Sequence, residues 1–182
     1  IEEFSFENYR SFKTMTTLNM TAANIKSRTS RLDADNVIRL NDQGALLKTK
    51  AIYGANASGK SNIVKALVSF IHIVVLSVKD ENVLGKNLAP FFLSNETIGK
   101  PVFFQLVFRH DGVRYRYGFQ ADIEKIHTEW LYATPCKREQ PYFIREGKLL
   151  KSINKTHFPE GETLLNLLKN DEDNPIFRQD SL

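Results

Sequence analysis

One short segment of the chain has the residue types and spacing needed to bind phosphate. Residues 54–61 read Gly-Ala-Asn-Ala-Ser-Gly-Lys-Ser, which fits the pattern G-x-x-x-x-G-K-[ST]. In such a loop, glycines let the backbone approach the phosphates, and N–H groups at the start of the following helix donate to them. The segment, called the phosphate loop below, therefore predicts a site for a nucleoside triphosphate.

Two side chains of the phosphate loop are expected to act directly. Lys60 would reach the β- and γ-phosphates, and the hydroxyl of Ser61 would bind Mg²⁺. The other predicted ATP contacts come from loop positions whose backbone faces the phosphates. These positions are Gly54, Ala57, Ser58 and Gly59.

The elements on either side of the loop must hold it in place. Residues 48–53 are predicted to form a strand that ends at Gly54, and a helix is predicted from Asn62 onward. Apolar residues in 63–78 recur with a helical period, and further aliphatic residues widen the apolar surface. This pattern predicts a helix that is buried on more than one side.

The rest of the chain is predicted to be mostly β-structure. Residues 1–20 have the alternation of a hairpin, and residues 36–40 that of a short strand. Residues 79–101 are predicted to form a loop. An antiparallel meander is predicted after it, with a tight turn at Asp111 and Gly112. Its expected strands are 102–108, 113–119, 126–132 and 142–145.

The second meander strand alternates aromatic residues with two arginines. Tyr115, Tyr117 and Phe119 share one face, and Arg114 and Arg116 share the other. An aromatic surface with interleaved arginines could stack on nucleic-acid bases. The alternative, which we favour, is a half-buried sheet with one solvated face.

Composition limits the remaining possibilities. The chain has 182 residues, of which 42% are hydrophobic and 25% charged, with a net charge of +4. The small positive charge permits nucleic-acid contact without indicating it. A single cysteine, Cys136, fits a reducing compartment and a cytoplasmic location. The most apolar stretch, 63–78, is too short and too polar to cross a bilayer, so no membrane partner is expected.

Two classes of nucleotide-binding protein fit the chain poorly. A GTPase would need Asp-x-x-Gly and Asn-Lys-x-Asp after the loop, and neither is found. A small nucleotide kinase has its loop in the first strand and helix, followed by helical lids. Here a hairpin precedes the loop and a meander follows it.

Further motifs resemble a known class of ATPase. Glu-Asn-Tyr-Arg-Ser-Phe at 7–12, followed by Gly-Lys-Ser-Asn at 59–62, resembles the start of ABC-type ATPase heads of the SMC, RecF and OLD class. Later segments look like those of prokaryotic AAA-type ATP-binding proteins of abortive-infection and other anti-phage defence systems. These segments are residues 90–91, 115–119, 129–132 and 143–145.

The resemblance implies an α/β fold, namely lobe I of an ABC-type P-loop NTPase head. It implies a mixed sheet around the P-loop helix, with an antiparallel β-subdomain. The expected divisions are 1–78 for the hairpin, strands, loop and helix, and 79–158 for the meander. Residues 159–182 would be a helical and polar tail that leads to a second lobe outside this chain.

The resemblance also adds site residues. It implies that Arg10 and Ser11 lie beside the phosphates, and that Asn56 and Asn62 are loop and helix-start positions of the ATP site. Arg10 alone could equally be an exposed turn arginine. The catalytic residues are not assigned, because the chain has no apolar run ending in Asp-Glu and no Ser-Gly-Gly signature.

The function implied is an ATPase. Two heads would hold ATP and Mg²⁺ between them, so the expected partner is a second head in a dimer. Hydrolysis would gate an effector nuclease or toxin in anti-phage defence. Two alternatives stay open: a DNA-repair or chromosome-maintenance head that clamps DNA, and a nucleotide sensor that does not hydrolyse. We expect the 182-residue chain alone to be inactive as an ATPase.

Overall fold

A computed structural model describes residues 1–23, 35–40, 44–147, 149–159 and 163. In this part of the chain, a seven-stranded antiparallel sheet carries a long helix on one face. The helices are α1 (Lys60–Leu76) and α2 (Val83–Asn87). The strands are β1 (Glu3–Glu7), β2 (Thr16–Asn19), β3 (Val37–Arg39), β4 (Ala45–Leu47), β5 (Val102–His110), β6 (Val113–Ala121), β7 (Ile126–Thr134), β8 (Gln140–Glu146) and β9 (Leu149–Ile153).

The N-terminal hairpin and the meander belong to one sheet. The strand order is β2-β1-β5-β6-β7-β8-β9, and β3 pairs with β4 separately. In β1, Phe4 lies opposite Leu18 of β2 on one side and Leu106 of β5 on the other. The predicted hairpin is therefore confirmed. The prediction of a mixed sheet is wrong for the described residues, because every strand pair among them is antiparallel.

The predicted meander is also confirmed. Asp111 and Gly112 form the turn between β5 and β6 with φ values of 48° and 79°, the left-handed conformation that a tight hairpin needs. Three elements were not predicted. The strand β4 lies between the turn predicted at 41–44 and the strand predicted at 48–53. The short helix α2 falls within the predicted loop at 79–101, and β9 adds a last strand after Gly147.

Aromatic residues form the core between α1 and the sheet. Phe70 of α1 stacks on Phe119 of β6, with ring centroids 5.7 Å apart, and meets Phe4 of β1 edge-on at 5.7 Å. Phe104 belongs to the same core cluster, on β5, which lies between β1 and β6 in the sheet. Each buried phenylalanine contributes about 1.5–3 kcal/mol of hydrophobic stabilisation. This core fixes α1, and therefore the start of α1, relative to the sheet.

Two predictions around the phosphate loop are wrong. Residues 48–53 form no strand, because they pair with none of the described strands in a ladder. The helix α1 buries one face only: Ala66, Phe70 and Ile73 are buried, whereas the opposite face is exposed although it is apolar.

Two of the predicted segments cannot be compared with the structure. Nearly all of the tail predicted for residues 159–182 and most of the turn predicted at 41–44 lie outside the described residues. Among the described helices, none combines the length and apolar character required to cross a membrane.

Candidate functional site

The backbone of the phosphate loop bends in ways that suit small residues. Gly59 has φ of 92° and Ala57 has φ of 62°, both in the left-handed region. A Cβ atom placed on Gly54 would lie 2.8 Å from the Oγ of Ser58. A side chain at position 54 would therefore press on the loop itself, whereas one at position 59 would press on Ser11 and Phe12 of the N-terminal segment.

Lys60 folds back over the loop that precedes it. Its Nζ donates to the carbonyl oxygens of Gly54, at 2.8 Å, and Ala55, at 2.5 Å. The ammonium group is therefore held at the loop by neutral carbonyl acceptors. Phosphate oxygens would compete for it effectively, because they carry negative charge and the carbonyl oxygens do not.

The first turn of α1 keeps backbone donors open. Gly59 is the N-cap and has no side chain with which to cap the helix. Its carbonyl accepts from the N–H groups of Asn62, at 2.9 Å, and Ile63, at 3.3 Å. The N–H groups of Lys60 and Ser61 precede the first intrahelical bond, so they remain directed outward at the positive end of the helix dipole. This arrangement favours an anion.

Mg²⁺ fits the oxygen chemistry of the same turn. Ser61 is exposed on the first turn of α1, directly after Lys60. A hydroxyl oxygen next to a bound triphosphate is a ligand that Mg²⁺ accepts, together with phosphate oxygens and water. Ser58 and Asn56 are exposed in the loop, so the predicted contact positions face solvent from one continuous segment.

The N-terminal turn, residues 8–12, packs against the loop. The backbone N–H groups of Tyr9 and Phe12 each donate to the other's carbonyl at 2.9 Å, which closes the turn. The Oγ of Ser11 accepts a 2.9 Å hydrogen bond from Nδ2 of Asn62. A Cβ atom on Gly59 would lie 3.0 Å from that Oγ and 3.2 Å from the ring of Phe12. The structure therefore brings Ser11 to the loop.

Arg10 is held beside α1 by the same turn. Its backbone N–H donates to Ala89 at 2.7 Å, and its Nε donates to the hydroxyl of Tyr9 at 3.0 Å. That hydroxyl also lies 2.8 Å from the Oγ of Ser69 on α1. Arg10 has φ of 50°, which is strained for a long side chain, and the residue is exposed. Its guanidinium therefore lies along the flank of the helix, anchored at Nε.

The residue that fastens this turn was not predicted from the sequence. Asn8 is 3% exposed, and its amide bonds to three backbone groups of the segment that precedes β5. The partners are the N–H of Phe91, at 3.1 Å, and the carbonyls of Lys100, at 2.8 Å, and Pro101, at 3.3 Å. The sequence signal was a polar residue inside an aromatic segment, but its partners are more than 80 positions away.

A buried charged cluster lies elsewhere on the sheet. Glu129 of β7 accepts from the hydroxyl of Tyr117, at 2.9 Å, and from Nε of Arg145, at 2.9 Å. Burial raises the pKa of Glu129 above its ordinary value, although Arg145 and Tyr117 act in the opposite direction. Burial and the Glu129 carboxylate raise the pKa of Tyr117 well above 10. The cluster joins β6, β7 and β8, which indicates that it stabilises the sheet.

The aromatic residues and arginines of β6 do not form a shared open surface. Tyr117 and Phe119 pack against Phe70 of α1. On the other face, Arg116 forms an ion pair with Glu139 at 2.7 Å, and Nε of Arg114 lies 3.1 Å from Glu2. These contacts agree with a half-buried sheet. They argue against a stacking surface for nucleic acid.

Comparison with known families covers the phosphate loop and the whole meander. Residues 51–178 match the model of the AAA_21 family, described as "AAA domain, putative AbiEii toxin, Type IV TA system". A comparison with curated proteins gives no match. The family is one of P-loop NTPases, for which ATP is the implied ligand. The matched residues make up more than half of the chain, which therefore belongs to the AAA_21 family of P-loop NTPases.

Proposed function

We propose that the chain binds ATP with Mg²⁺ in the phosphate loop and is the first lobe of an ABC-type ATPase head. The observation that carries the binding proposal is the position of Lys60. Its ammonium lies over the carbonyls of Gly54 and Ala55, next to the open N–H groups at the start of α1. Positive charge and backbone donors therefore converge on one exposed loop, as a triphosphate requires.

Each site residue has a separate task in this proposal. The loop N–H groups from Ala57 to Ser61 would hold the β- and γ-phosphates, and Lys60 would neutralise their charge. The hydroxyl of Ser61 would hold Mg²⁺, which when bound supplies charge stabilisation between the phosphates. Asn62 and Ser11 would fix the loop against the N-terminal turn through their 2.9 Å hydrogen bond.

Arg10 would be a second clamp on the phosphates. Its backbone has a conformation that glycine adopts more readily, and strain of this kind concentrates at functional sites. Its Nε donates to the Tyr9 hydroxyl and its guanidinium carbon lies 5.6 Å from the centroid of the Tyr9 ring. The two terminal nitrogens are further donors that a phosphate could use. A planar guanidinium can hold two phosphate oxygens at once, which explains an arginine at this position.

The exposed face of α1 supports the assignment to a first lobe. A helix that is apolar on all sides is normally buried on all sides. The side of α1 that faces away from the sheet is aliphatic, and residues 49–53 beside the loop have no partner strand among the described strands. A second lobe that adds a sheet would cover this face of α1 and would supply a partner strand for residues 49–53. The exposed aliphatic residues are Val64, Val68, Ile71 and Val75.

Hydrolysis would require that second lobe and a second head. The chain contains no acidic pair after an apolar strand that could orient the attacking water. In the complete protein, ATP would lie between two heads, and its hydrolysis would gate an effector nuclease or toxin in phage defence. The family description, which names a toxin of a type IV toxin–antitoxin system, supports this part of the proposal.

Calorimetric titration with ATP and Mg²⁺ tests the proposal. Lys60→Ala removes a charge-assisted contact of about 1.5–3 kcal/mol, so affinity should fall by about tenfold to a hundredfold. Lys65→Ala is the matched control, because Lys65 is an exposed lysine on the same helix. It should leave the affinity unchanged. Equal affinity of the parent and Lys60→Ala, or no binding by the parent, would refute the proposed site.

A further inference from the structure

The N-terminal turn has two residues in a conformation that disfavours ordinary side chains. Asn8 has φ of 54° and Arg10 has φ of 50°. Asparagine tolerates the left-handed region better than most residues, but a pair of such residues within three positions needs external support. Hydrogen bonds from this turn to residues 89–101 provide that support.

Asn8 provides most of that support. Its Oδ1 accepts from Phe91, and its Nδ2 donates to Lys100 and Pro101, so one side chain holds both ends of the segment. Arg10 adds a backbone bond to Ala89. Because Asn8 is nearly fully buried, these bonds are shielded from water and costly to break.

The far end of the same turn touches the phosphate loop. Phe12 and Ser11 are the nearest neighbours of a Cβ atom placed on Gly59, and Ser11 also accepts from Asn62. Phe12 is itself seated on Phe6 of β1, with ring centroids 5.0 Å apart. A shift of the turn would therefore displace the support under Gly59.

We infer that Asn8 is a positioning residue of the phosphate loop. It does not touch the predicted phosphate position. It fastens the turn that holds Ser11 and Phe12 against Gly59, and so it sets the conformation of residues 54–61. This inference rests on the proposed function for its effect on ATP, but its effect on the loop itself can be measured without ligand.

Hydrogen exchange of the chain without nucleotide gives the direct test. Asn8→Gly keeps a residue suited to φ of 54° and removes all three side-chain bonds. We expect amide exchange in residues 54–62 to accelerate by about tenfold. Tyr117→Phe is the control, because it removes a buried hydroxyl bond to Glu129 outside the turn and the loop. It should leave exchange in residues 54–62 unchanged.

ATP affinity gives the second readout. Asn8→Gly should weaken binding by about fivefold, the effect of about one net hydrogen bond, while Tyr117→Phe leaves it unchanged. Asn8→Ser keeps a hydroxyl that can bond one of the three partners, so we expect intermediate exchange and affinity. It carries the test alone if Asn8→Gly does not fold.

Two outcomes would overturn the inference. One is unchanged exchange in residues 54–62 in the folded Asn8 variant, and the other is equal acceleration in Tyr117→Phe. The proposed function fails separately, if the parent chain does not bind ATP. In that case accelerated loop exchange in the Asn8 variant would still support the positioning role.

Discussion

The side-chain amide of Asn62 donates a 2.9 Å hydrogen bond to the hydroxyl of Ser11, 51 positions earlier in the chain. This bond joins the first turn of α1 to the N-terminal turn, and Gly59 lies between them. The phosphate loop is therefore supported from outside as well as by its own sequence.

Gly59→Ala should damage both the fold and the site. A left-handed backbone costs a residue with a Cβ about 1–2 kcal/mol, and here the Cβ would also press on Ser11 and Phe12. Gly112→Ala is the control, because φ of 79° imposes similar strain with no neighbour within 4 Å. We expect the greater loss of unfolding free energy in Gly59→Ala. ATP affinity should fall in that variant alone. Equal losses in the two variants would contradict the packing role of the turn.

Arg10→Lys should weaken ATP binding while the charge is kept. Lysine cannot hold two phosphate oxygens with a planar fork, so we expect affinity to fall by about fivefold, equivalent to about 1 kcal/mol. Arg138→Lys makes the same change at an exposed position between β7 and β8, and should have no effect. Calorimetry on both variants gives the comparison. An unchanged affinity in Arg10→Lys would mean that Arg10 is only a turn residue.

Arg145→Met should destabilise the sheet in a pH-dependent manner. The guanidinium faces the buried carboxylate of Glu129, and removing one member of a buried ion pair costs about 3 kcal/mol. Without the guanidinium, the folded-state pKa of Glu129 rises further above its ordinary value of 4.5. The folded variant then holds a proton that the unfolded chain has lost, so its stability falls as pH rises above that value.

Denaturant titrations at pH 4 and pH 7 measure this effect. The stability deficit of Arg145→Met should be larger at pH 7, where the unfolded chain has lost the proton and folding must either restore it to Glu129 or bury its charge without a guanidinium. Arg138→Met should differ from the parent by less than about 0.5 kcal/mol at both pH values, as an exposed substitution does. A deficit that is the same at both pH values would show that the charge of Glu129 does not contribute.

The chain should bind ATP without sustained hydrolysis. It lacks an acidic pair that follows an apolar strand, and a missing catalytic group can lower the rate by orders of magnitude. A phosphate-release assay on the purified chain should show no steady turnover. Turnover that Lys60→Ala abolishes would reveal a catalytic group within this chain.

Local patterns were sufficient to predict much of the fold. The turn at Asp111 and Gly112 and the alternation in β6 depend on neighbours in sequence, and both were confirmed. The strand predicted at 48–53 does not form because a strand also needs a pairing partner, and this segment pairs with no described strand. The bonds of Asn8 were not predictable, since their partners are more than 80 positions away.

The candidate site also has features that could be predicted from the sequence and others that could not. The loop and Lys60 follow from the spacing of residues 54–61, because a short motif determines its own backbone. Which face of α1 is covered could not be predicted, since periodicity shows apolar faces but not what packs on them. The structure places Phe70 against the sheet and leaves Val75 63% exposed.

A structure of the chain with ATP and Mg²⁺ tests the binding site most directly. We expect phosphate oxygens within about 3 Å of the backbone N–H groups of Lys60 and Ser61, a normal hydrogen-bond distance. Nζ of Lys60 should leave the carbonyls of Gly54 and Ala55 and bind a phosphate oxygen. A triphosphate bound elsewhere, with Lys60 still on those two carbonyls, would contradict the proposed function.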